Sequence, residues 1–146
     1  MNKHIETFEQ YALVRRSLSL HINTLIKDMP LGHRQLTIMN WLNRKGQMNL
    51  KTLALYTYTD PGTITRSVAQ MISQGLVEKV QNPKDGREWF VRISKKGQKF
   101  IPAVNKVYQD LADLFVDALS EKEQAQLGKL LNKVGTHLEK SFSEEK

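Results

Sequence analysis

Residues 60–66, Asp-Pro-Gly-Thr-Ile-Thr-Arg, constrain the fold of this chain more than any other stretch, because they predict the start of a helix. Asp60 can accept hydrogen bonds from the first unpaired N–H groups of a helix, and Pro61 fits the first helical turn. Apolar residues then recur at helical spacing from Ile64 until Gly75. This spacing leaves three side chains exposed near the helix start: Thr63, Thr65 and Arg66. Such a helix end suits the groove edges and phosphates of DNA.

A turn-rich segment follows this helix and predicts a hairpin. Residues 82–87 read Asn-Pro-Lys-Asp-Gly-Arg, and the flanking runs 76–81 and 88–94 are short and rich in strand-forming residues. We expect two strands joined by a loop over 82–87 with a cationic tip. A capped helix followed by such a hairpin is typical of a winged helix.

Three more helices are predicted before residue 60. The first spans residues 5–27 and ends near Pro30. A second starts at Gly32, whose N–H can be reached by the Gln35 side chain, and ends at the Arg-Lys-Gly of residues 44–46. Asn49 caps a short third helix, and residues 56–59 form a turn. This order is the layout of a helix-turn-helix unit.

Two helices are predicted after the hairpin. One runs from Ser94 through about Ala118 and either starts or kinks at Pro102. The other follows the capping-box sequence of residues 120–123 and runs to about Glu139. The expected fold class is therefore mainly α with a small β-hairpin wing, a winged helix-turn-helix with N- and C-terminal dimerisation helices.

The chain is expected to form a single domain, residues 1–146, with two kinds of segment. Residues 31–97 are predicted to be the DNA-binding lobe. Residues 1–30 and 98–146 carry more apolar surface than a small winged-helix core can cover, so we expect them to pair with a second copy of the chain. No internal repeat or Pro/Ser-rich linker divides the sequence.

The placement of charge supports a polyanion-binding lobe. The net charge is +7, and residues 79–99 hold seven basic and two acidic residues, whereas residues 100–146 hold six basic and eight acidic ones. The basic part therefore suits DNA, and the acidic C-terminal part suits assembly. There is no cysteine for a disulfide or thiolate metal site, no signal peptide and no apolar run of the ~20 residues needed to cross a bilayer. We expect a cytoplasmic protein without a membrane partner.

The order of these elements and the sequence motifs within them resemble those of the MarR family of bacterial transcriptional regulators. The resemblance covers nearly the whole chain. Its most specific motif is the Asn-Pro-x-Asp-x-Arg of residues 82–87, which follows the Thr-Ile-Thr-Arg of residues 63–66. It is further carried by segments 31–35, 53–54, 75–77 and 91–97. Gly86, Ala69, Gln70 and Lys79 depart from residues that are common in the family, so base specificity cannot be taken from a relative.

The resemblance implies a homodimer on double-stranded DNA at a near-palindromic operator, acting as a repressor, with activation left open by the same fold. Recognition helices would enter major grooves about one turn (~34 Å) apart, and the wings would reach minor grooves. It implies that Thr63, Thr65 and Arg66 contact DNA from the helix. Arg87 would enter the minor groove, oriented by a salt bridge from Asp85. Four weaker predictions are phosphate contacts: Ser67, Lys84, Arg92 and Lys95.

The resemblance also implies a small aromatic or phenolic ligand that binds between the dimerisation helices and the DNA-binding lobe and lowers DNA affinity. Five side chains could supply a cation and apolar walls for it: Arg16, His21, Arg34, Met39 and Trp41. For each of them, a core or surface role is the competing interpretation. The four histidines show no metal-binding spacing, so we predict no metal site and no cofactor.

An enzyme is not predicted, because the chain has no nucleophile elbow, glycine-rich phosphate loop or paired acid and base. Two other interpretations stay open. One is a winged-helix module that binds another protein, and the other is a non-specific architectural DNA binder. Sequence-dependent affinity separates a regulator from both, since a regulator prefers its operator by ~10³-fold or more.

Overall fold

The computed structural model describes residues 2–144, with side chains through residue 141, and confirms the mainly helical fold with a hairpin wing. The elements in order are α1 (Lys3–Leu25), α2 (His33–Lys45), α3 (Leu50–Thr57), α4 (Pro61–Ser73), β1 (Val77–Asn82), β2 (Asp85–Ile93), α5 (Lys95–Gln98), α6 (Ile101–Val116) and α7 (Glu121–Glu144). The chain packs as two units, one up to Gln109 and one from Asp110 onward.

Each predicted helix cap that starts an element of the first unit's winged helix is present. The N–H of Gly32 donates to Gln35 Oε1 at 3.1 Å at the start of α2. Asn49 Oδ1 accepts from the N–H of Thr52 at 2.8 Å, which starts α3. These bonds satisfy helix N–H groups that have no partner within the helix, so they fix where each helix begins.

Helices α2, α3, α4 and α6 pack with the hairpin around one apolar core in the first unit. On α4 the fully buried side chains of this core recur three or four positions apart, as a one-sided apolar stripe requires. Those of the whole core are Leu36, Ile38, Met39, Leu53, Ile64, Val68, Met71, Val77, Val91 and Val104. Burial of each such side chain contributes about 1.5–3 kcal/mol. This core fixes which face of α4 points outward.

The hairpin is antiparallel, and its tip differs from the prediction. The strands pair regularly from Val77 with Ile93 to Gln81 with Trp89, and the register then jumps so that Asn82 pairs with Asp85. The turn is therefore the two residues 83–84, and residues 86–88 form a bulge, where a loop over 82–87 was predicted. The reason is local, because Asn82 Oδ1 accepts from the N–H of Lys84 at 2.9 Å and closes the turn early.

The long helix predicted from Ser94 is two helices, α5 and α6. The alternative that a helix starts at Pro102 rather than kinking there is confirmed, since Pro102 is the second residue of α6, where the missing N–H costs nothing. Gly97 is buried, and a Cβ there would lie 2.1 Å from the carbonyl oxygen of Leu76. Helix α5 therefore packs closely on Leu76, in the connection between α4 and β1.

In the second unit, the predicted capping box starts α7. The N–H of Glu123 donates to Ser120 Oγ at 3.2 Å, and the N–H of Ser120 donates to Glu123 Oε1 at 3.0 Å. The hydrogen bond from the Ser120 N–H, followed by that from the Ser120 hydroxyl, lowers the pKa of the Glu123 carboxyl from its ordinary value. Helix α7 continues to Glu144, five residues beyond the predicted end.

Helices α1 and α7 each keep several large apolar side chains exposed in the single chain. Helix α1 has no buried residue, and six of its apolar side chains are exposed: Ile5, Phe8, Tyr11, Leu13, Val14 and Leu20. Helix α7 exposes Leu130, Leu131, Val134 and Leu138. Within residues 2–144, no helix is long and apolar enough to cross a membrane.

Candidate nucleic-acid interface

A chain of three hydrogen-bonded side chains organises the start of α4. Asp60 Oδ1 accepts from the N–H of Thr63 at 2.9 Å, and its Oδ2 accepts from Thr63 Oγ1 at 2.6 Å. Arg66 Nη2 in turn donates to Thr63 Oγ1 at 3.1 Å. The hydrogen bond from the Thr63 hydroxyl, followed by that from its N–H, lowers the pKa of the Asp60 carboxyl. The guanidinium of Arg66 is therefore held beside the helix start with donors left to use.

The outward face of α4 is polar and continuous. Pro61, Thr65, Arg66, Ala69 and Gln70 are exposed, whereas Ile64, Val68 and Met71 of the opposite face lie in the core. Thr65 Oγ1 donates to the carbonyl of Pro61 at 2.8 Å, so its oxygen can still accept a hydrogen bond. Ser67 is half-buried at the margin of this face. Three predicted contacts, Thr63, Thr65 and Arg66, are thus grouped at one helix end.

The wing carries Lys84, Asp85 and Arg87, and all three are exposed. Asp85 Oδ1 accepts from the backbone N–H of Arg87 at 3.0 Å. The predicted salt bridge from Asp85 to the Arg87 guanidinium is wrong for the structure, in which the charged group of Arg87 has no carboxylate partner among the described residues. The physical reason is the tight bulge, since Asp85 closes an Asx turn on the near backbone N–H. Asp85 therefore bonds the backbone of Arg87 and leaves its guanidinium exposed.

The two remaining predicted cations are placed differently from each other. Arg92 Nε pairs with Glu78 Oε1 at 2.7 Å across the hairpin, and both side chains are about half exposed, at 50% and 47%. The Glu78 carboxylate therefore partly offsets the positive charge that Arg92 would present to a DNA phosphate. Lys95 is exposed at the start of α5.

Two residues that sequence reasoning missed support this surface. Lys96 Nζ donates to the carbonyl of Gln74 at 2.9 Å and satisfies the C-terminal end of α4. Glu88 accepts hydrogen bonds from Asn49 and Asn82 and joins the wing to α3. The Ser-Lys-Lys-Gly motif of residues 94–97 could have indicated the contact of Lys96. No local pattern could have indicated the contact of Glu88 with Asn49, because these two residues are 39 positions apart in the chain.

The five residues predicted to bind a ligand do not form one pocket in the first unit. Arg16 and His21 are exposed on α1, and Met39 is fully buried in the core. The rings of Trp41 and Tyr56 contact each other at a tilt of 33°, with centroids 4.8 Å apart, and the Arg44 guanidinium lies 5.3 Å from the Trp41 ring centre.

Arg34 lines a shallow, polar groove of about 500 Å³ between the start of α2 and α4. Its other lining residues include His33, Ser67 and Gln70. Arg34 Nη1 also donates to Thr59 Oγ1 at 3.4 Å, in the turn before α4. The described part of the chain contains no group of three or more His, Asp or Glu side chains that could hold a metal ion.

The pairing of α3 and α4 with a hairpin wing defines a winged helix-turn-helix protein. Residues 31–89 match the sequence model of the MarR family. The resemblance to this family that the sequence indicated is therefore confirmed over that winged-helix segment.

One curated relative and two solved structures are similar to this chain over most of its length. The HTH-type transcriptional repressor IacR of Pseudomonas putida is 26% identical over 132 residues, which cover 90% of this chain and 79% of IacR. A mutant MarR from E. coli complexed with operator DNA has a TM-score of 0.79 and 23% identity, covering 91% of this chain and 96% of that one. BpsR of Bordetella bronchiseptica, whose DNA binding is regulated by 6-hydroxynicotinic acid, has a TM-score of 0.77 and 16% identity, covering 87% and 91%. The two structures show a shared fold.

Proposed function

We propose that this protein is a homodimeric transcriptional repressor that binds a near-palindromic operator in the cytoplasm. The observation that carries the proposal is the hydrogen-bonded chain from Asp60 through Thr63 to Arg66, which presents a cation at the exposed start of α4. A similar fold in a MarR protein is complexed with operator DNA, and a relative at 26% identity is a repressor.

In this proposal α4 lies in the major groove. Arg66 has free N–H donors in the fork geometry that matches the two acceptors of a guanine edge. Thr65 can meet a base edge or a thymine methyl group from the same helix face. Ordering Arg66 before binding reduces the side-chain entropy lost in the complex.

The wing supplies the second set of contacts. Arg87 is exposed on the bulge and can enter a narrow A·T-rich minor groove, whose strong negative potential attracts a guanidinium without base-specific bonds. Lys84 at the turn, with Ser67 and Lys95 beside α4 and α5, would contact phosphates. Arg92 would do so by exchanging Glu78 for a phosphate. Asp85 shapes the bulge that carries Arg87.

The exposed apolar faces of α1 and α7 support assembly of two chains. Phe8 is 68% exposed and Leu138 is 60% exposed, and contact of such apolar surface with water is unfavourable. A symmetric dimer removes the same surface from water on both chains. Residues 31–97 would then be the DNA-binding lobe and residues 1–30 and 98–146 the dimerisation segments. Two-fold symmetry places the half-sites about one helical turn apart.

Release by a small aromatic acid is the regulatory part of the proposal. BpsR is regulated by 6-hydroxynicotinic acid, a compound of this chemical class, and shares the fold. Arg34 could pair with the ligand carboxylate in the groove between α2 and α4, where occupation would compete with DNA at Ser67 and Gln70. Arg16, His21 and Trp41 stay candidates from the sequence alone, and the burial of Met39 favours its core role.

The experiment that tests the proposal is fluorescence anisotropy of the purified protein on DNA from its own promoter region and on scrambled DNA, over a series of salt concentrations. Promoter-selective binding of two chains per site, by about 10³-fold, is the expected result. Equal, strongly salt-dependent binding to both DNAs would instead favour an architectural binder. No binding to either would favour the protein-interaction module.

A further inference from the structure

One carboxylate connects the wing to the helix-turn-helix. Glu88 Oε1 accepts from Asn49 Nδ2 at 2.5 Å, and Glu88 Oε2 accepts from Asn82 Nδ2 at 2.7 Å. Asn49 is the N-cap of α3, and Asn82 is the last residue of β1. All three side chains are partly buried. We call this set of three residues the Glu88 clasp.

Only a side chain at position 88 that accepts hydrogen bonds through both of its terminal atoms satisfies this arrangement. The amide oxygen of Asn49 is already committed to the N–H of Thr52 at 2.8 Å, and that of Asn82 to the N–H of Lys84 at 2.9 Å. Neither amide can rotate to offer its oxygen to Glu88 without losing a helix cap or the wing turn. Two NH₂ groups therefore face residue 88, and a carboxylate, which only accepts, pairs with both.

The clasp lies where the hairpin's own pairing fails. Regular pairing of β1 with β2 ends at Gln81 and Trp89, and residues 86–88 have no backbone register partners on β1 in the described hairpin. Met48, next to Asn49, pairs with Val91 through two backbone hydrogen bonds of 3.2 and 2.8 Å. The clasp continues this attachment outward to the bulge that carries Arg87.

We propose that Glu88 is a positioning residue for DNA recognition, which holds the Arg87 segment of the wing at a fixed place relative to α3 and hence to α4. This inference rests on the proposed operator binding. A fixed wing presents Arg87 to the minor groove while α4 occupies the major groove, so the two contacts form together without an ordering cost. Residue 88 touches no DNA in this scheme and acts through Arg87.

The first test replaces Glu88 by Gln, which keeps the shape and turns one acceptor into a donor. One amide of the clasp then meets another NH₂ group, and we expect the Kd for the operator to rise about tenfold. Glu78→Gln is the matched control, since it makes the same chemical change on β1 but frees Arg92 for a phosphate, so we expect its Kd for the operator to fall or to stay within about twofold rather than to rise.

A rescue separates positioning from loss of fold. Asn49→Asp alone places two carboxylates against each other and should also weaken operator binding. Combined with Glu88→Gln, it restores complementarity, because the new carboxylate at position 49 can cap α3 with one oxygen and accept from the amide at 88 with the other. Operator affinity of the double variant should return to within about threefold of wild type, whereas additive losses would overturn the proposal.

Dependence on Arg87 completes the test. If Glu88 acts through Arg87, Glu88→Gln should weaken operator binding no further in an Arg87→Ala background, in which dimer formation is unchanged. An equal loss in both backgrounds would overturn the positioning role. A wild-type protein that binds promoter and scrambled DNA equally would refute the proposed function itself. Selective wild-type binding with an unaffected Glu88→Gln variant would refute only the clasp.

Discussion

Short polar side chains at the residue scale give the interface its geometry by accepting hydrogen bonds from nearby N–H groups. Asp60 starts α4 in this way, and Asn82 and Asp85 fold the wing tip. Each of these bonds spans two or three residues, so little loop-closure entropy opposes it. The long cations Arg66 and Arg87 are carried on backbone that these short side chains have fixed.

Replacing Arg66 by Ala should relax sequence preference at one position in each half-site. Removing a bidentate contact to a guanine costs about 1–3 kcal/mol at that base pair and leaves discrimination elsewhere intact. Anisotropy on a set of operators with single base-pair changes measures this. Lys95→Ala is the control, because a lost phosphate contact weakens binding on every sequence alike. The same uniform loss for Arg66→Ala would reduce Arg66 to a phosphate contact.

The cap of α4 should make stability depend on pH. Hydrogen bonds from Thr63 lower the folded-state pKa of Asp60 below its ordinary value of 3.8, so ionised Asp60 stabilises the fold. This contribution is fully present above the unfolded-state pKa and is lost as the pH falls through the folded-state pKa. Asp60→Asn keeps a capping oxygen and removes the charge.

We therefore expect Asp60→Asn to lower the free energy of unfolding at pH 7 more than at about pH 2.5, as measured by urea denaturation. Thr63→Ala removes the largest cause of the shift and should reduce the pH-dependent part of the Asp60→Asn effect. An equal effect of Asp60→Asn at both pH values would show that the charge of Asp60 contributes nothing to stability.

At the element scale, the sequence predicted helix starts better than it predicted contacts between elements. The caps of α2, α3, α4 and α7 follow from side chains within three residues of the N–H groups they bind, so local patterns contain them. The bond from Asn49 to Glu88 depends on how α3 meets β2, which no local pattern records. The division of the predicted helix after Ser94 has the same origin, in the packing of Gly97 on Leu76.

That packing gives a prediction about α5. An alanine Cβ at position 97 would lie 2.1 Å from the oxygen of Leu76 and 2.9 Å from Ile93 Cγ2, and backbone cannot yield cheaply. We expect Gly97→Ala to lower the free energy of unfolding by about 1–3 kcal/mol. Gly128→Ala in α7 is the matched control, since its Cβ meets no atom within 4 Å, and alanine there should add up to ~1 kcal/mol. Equal effects in urea denaturation would contradict the close approach.

At the scale of the whole molecule, the chain has two kinds of exposed surface, one polar with cations and one apolar. The polar face of α4 and the wing carry exposed cations, whereas α1 and α7 carry exposed apolar side chains. The sequence predicted this division through its charge distribution and its apolar stripes. The ligand pocket stays a prediction, because bringing Arg16 and His21 together with other lining residues depends on the packing of whole helices, which no local pattern records; Met39 lies in the core.

Assembly gives the last prediction. Leu138 is 60% exposed on the apolar stripe of α7, and a glutamate there should oppose pairing of two chains. Losing this burial on both chains costs about 3–6 kcal/mol, because symmetry counts the residue twice. We expect sedimentation equilibrium to show a wild-type dimer and a Leu138→Glu monomer, with operator affinity falling in parallel. Gln126→Glu adds the same charge to α7 outside the stripe and should remain dimeric. A Leu138→Glu dimer as stable as wild type would exclude this face from assembly, and a wild-type monomer would require each winged helix to reach its half-site alone.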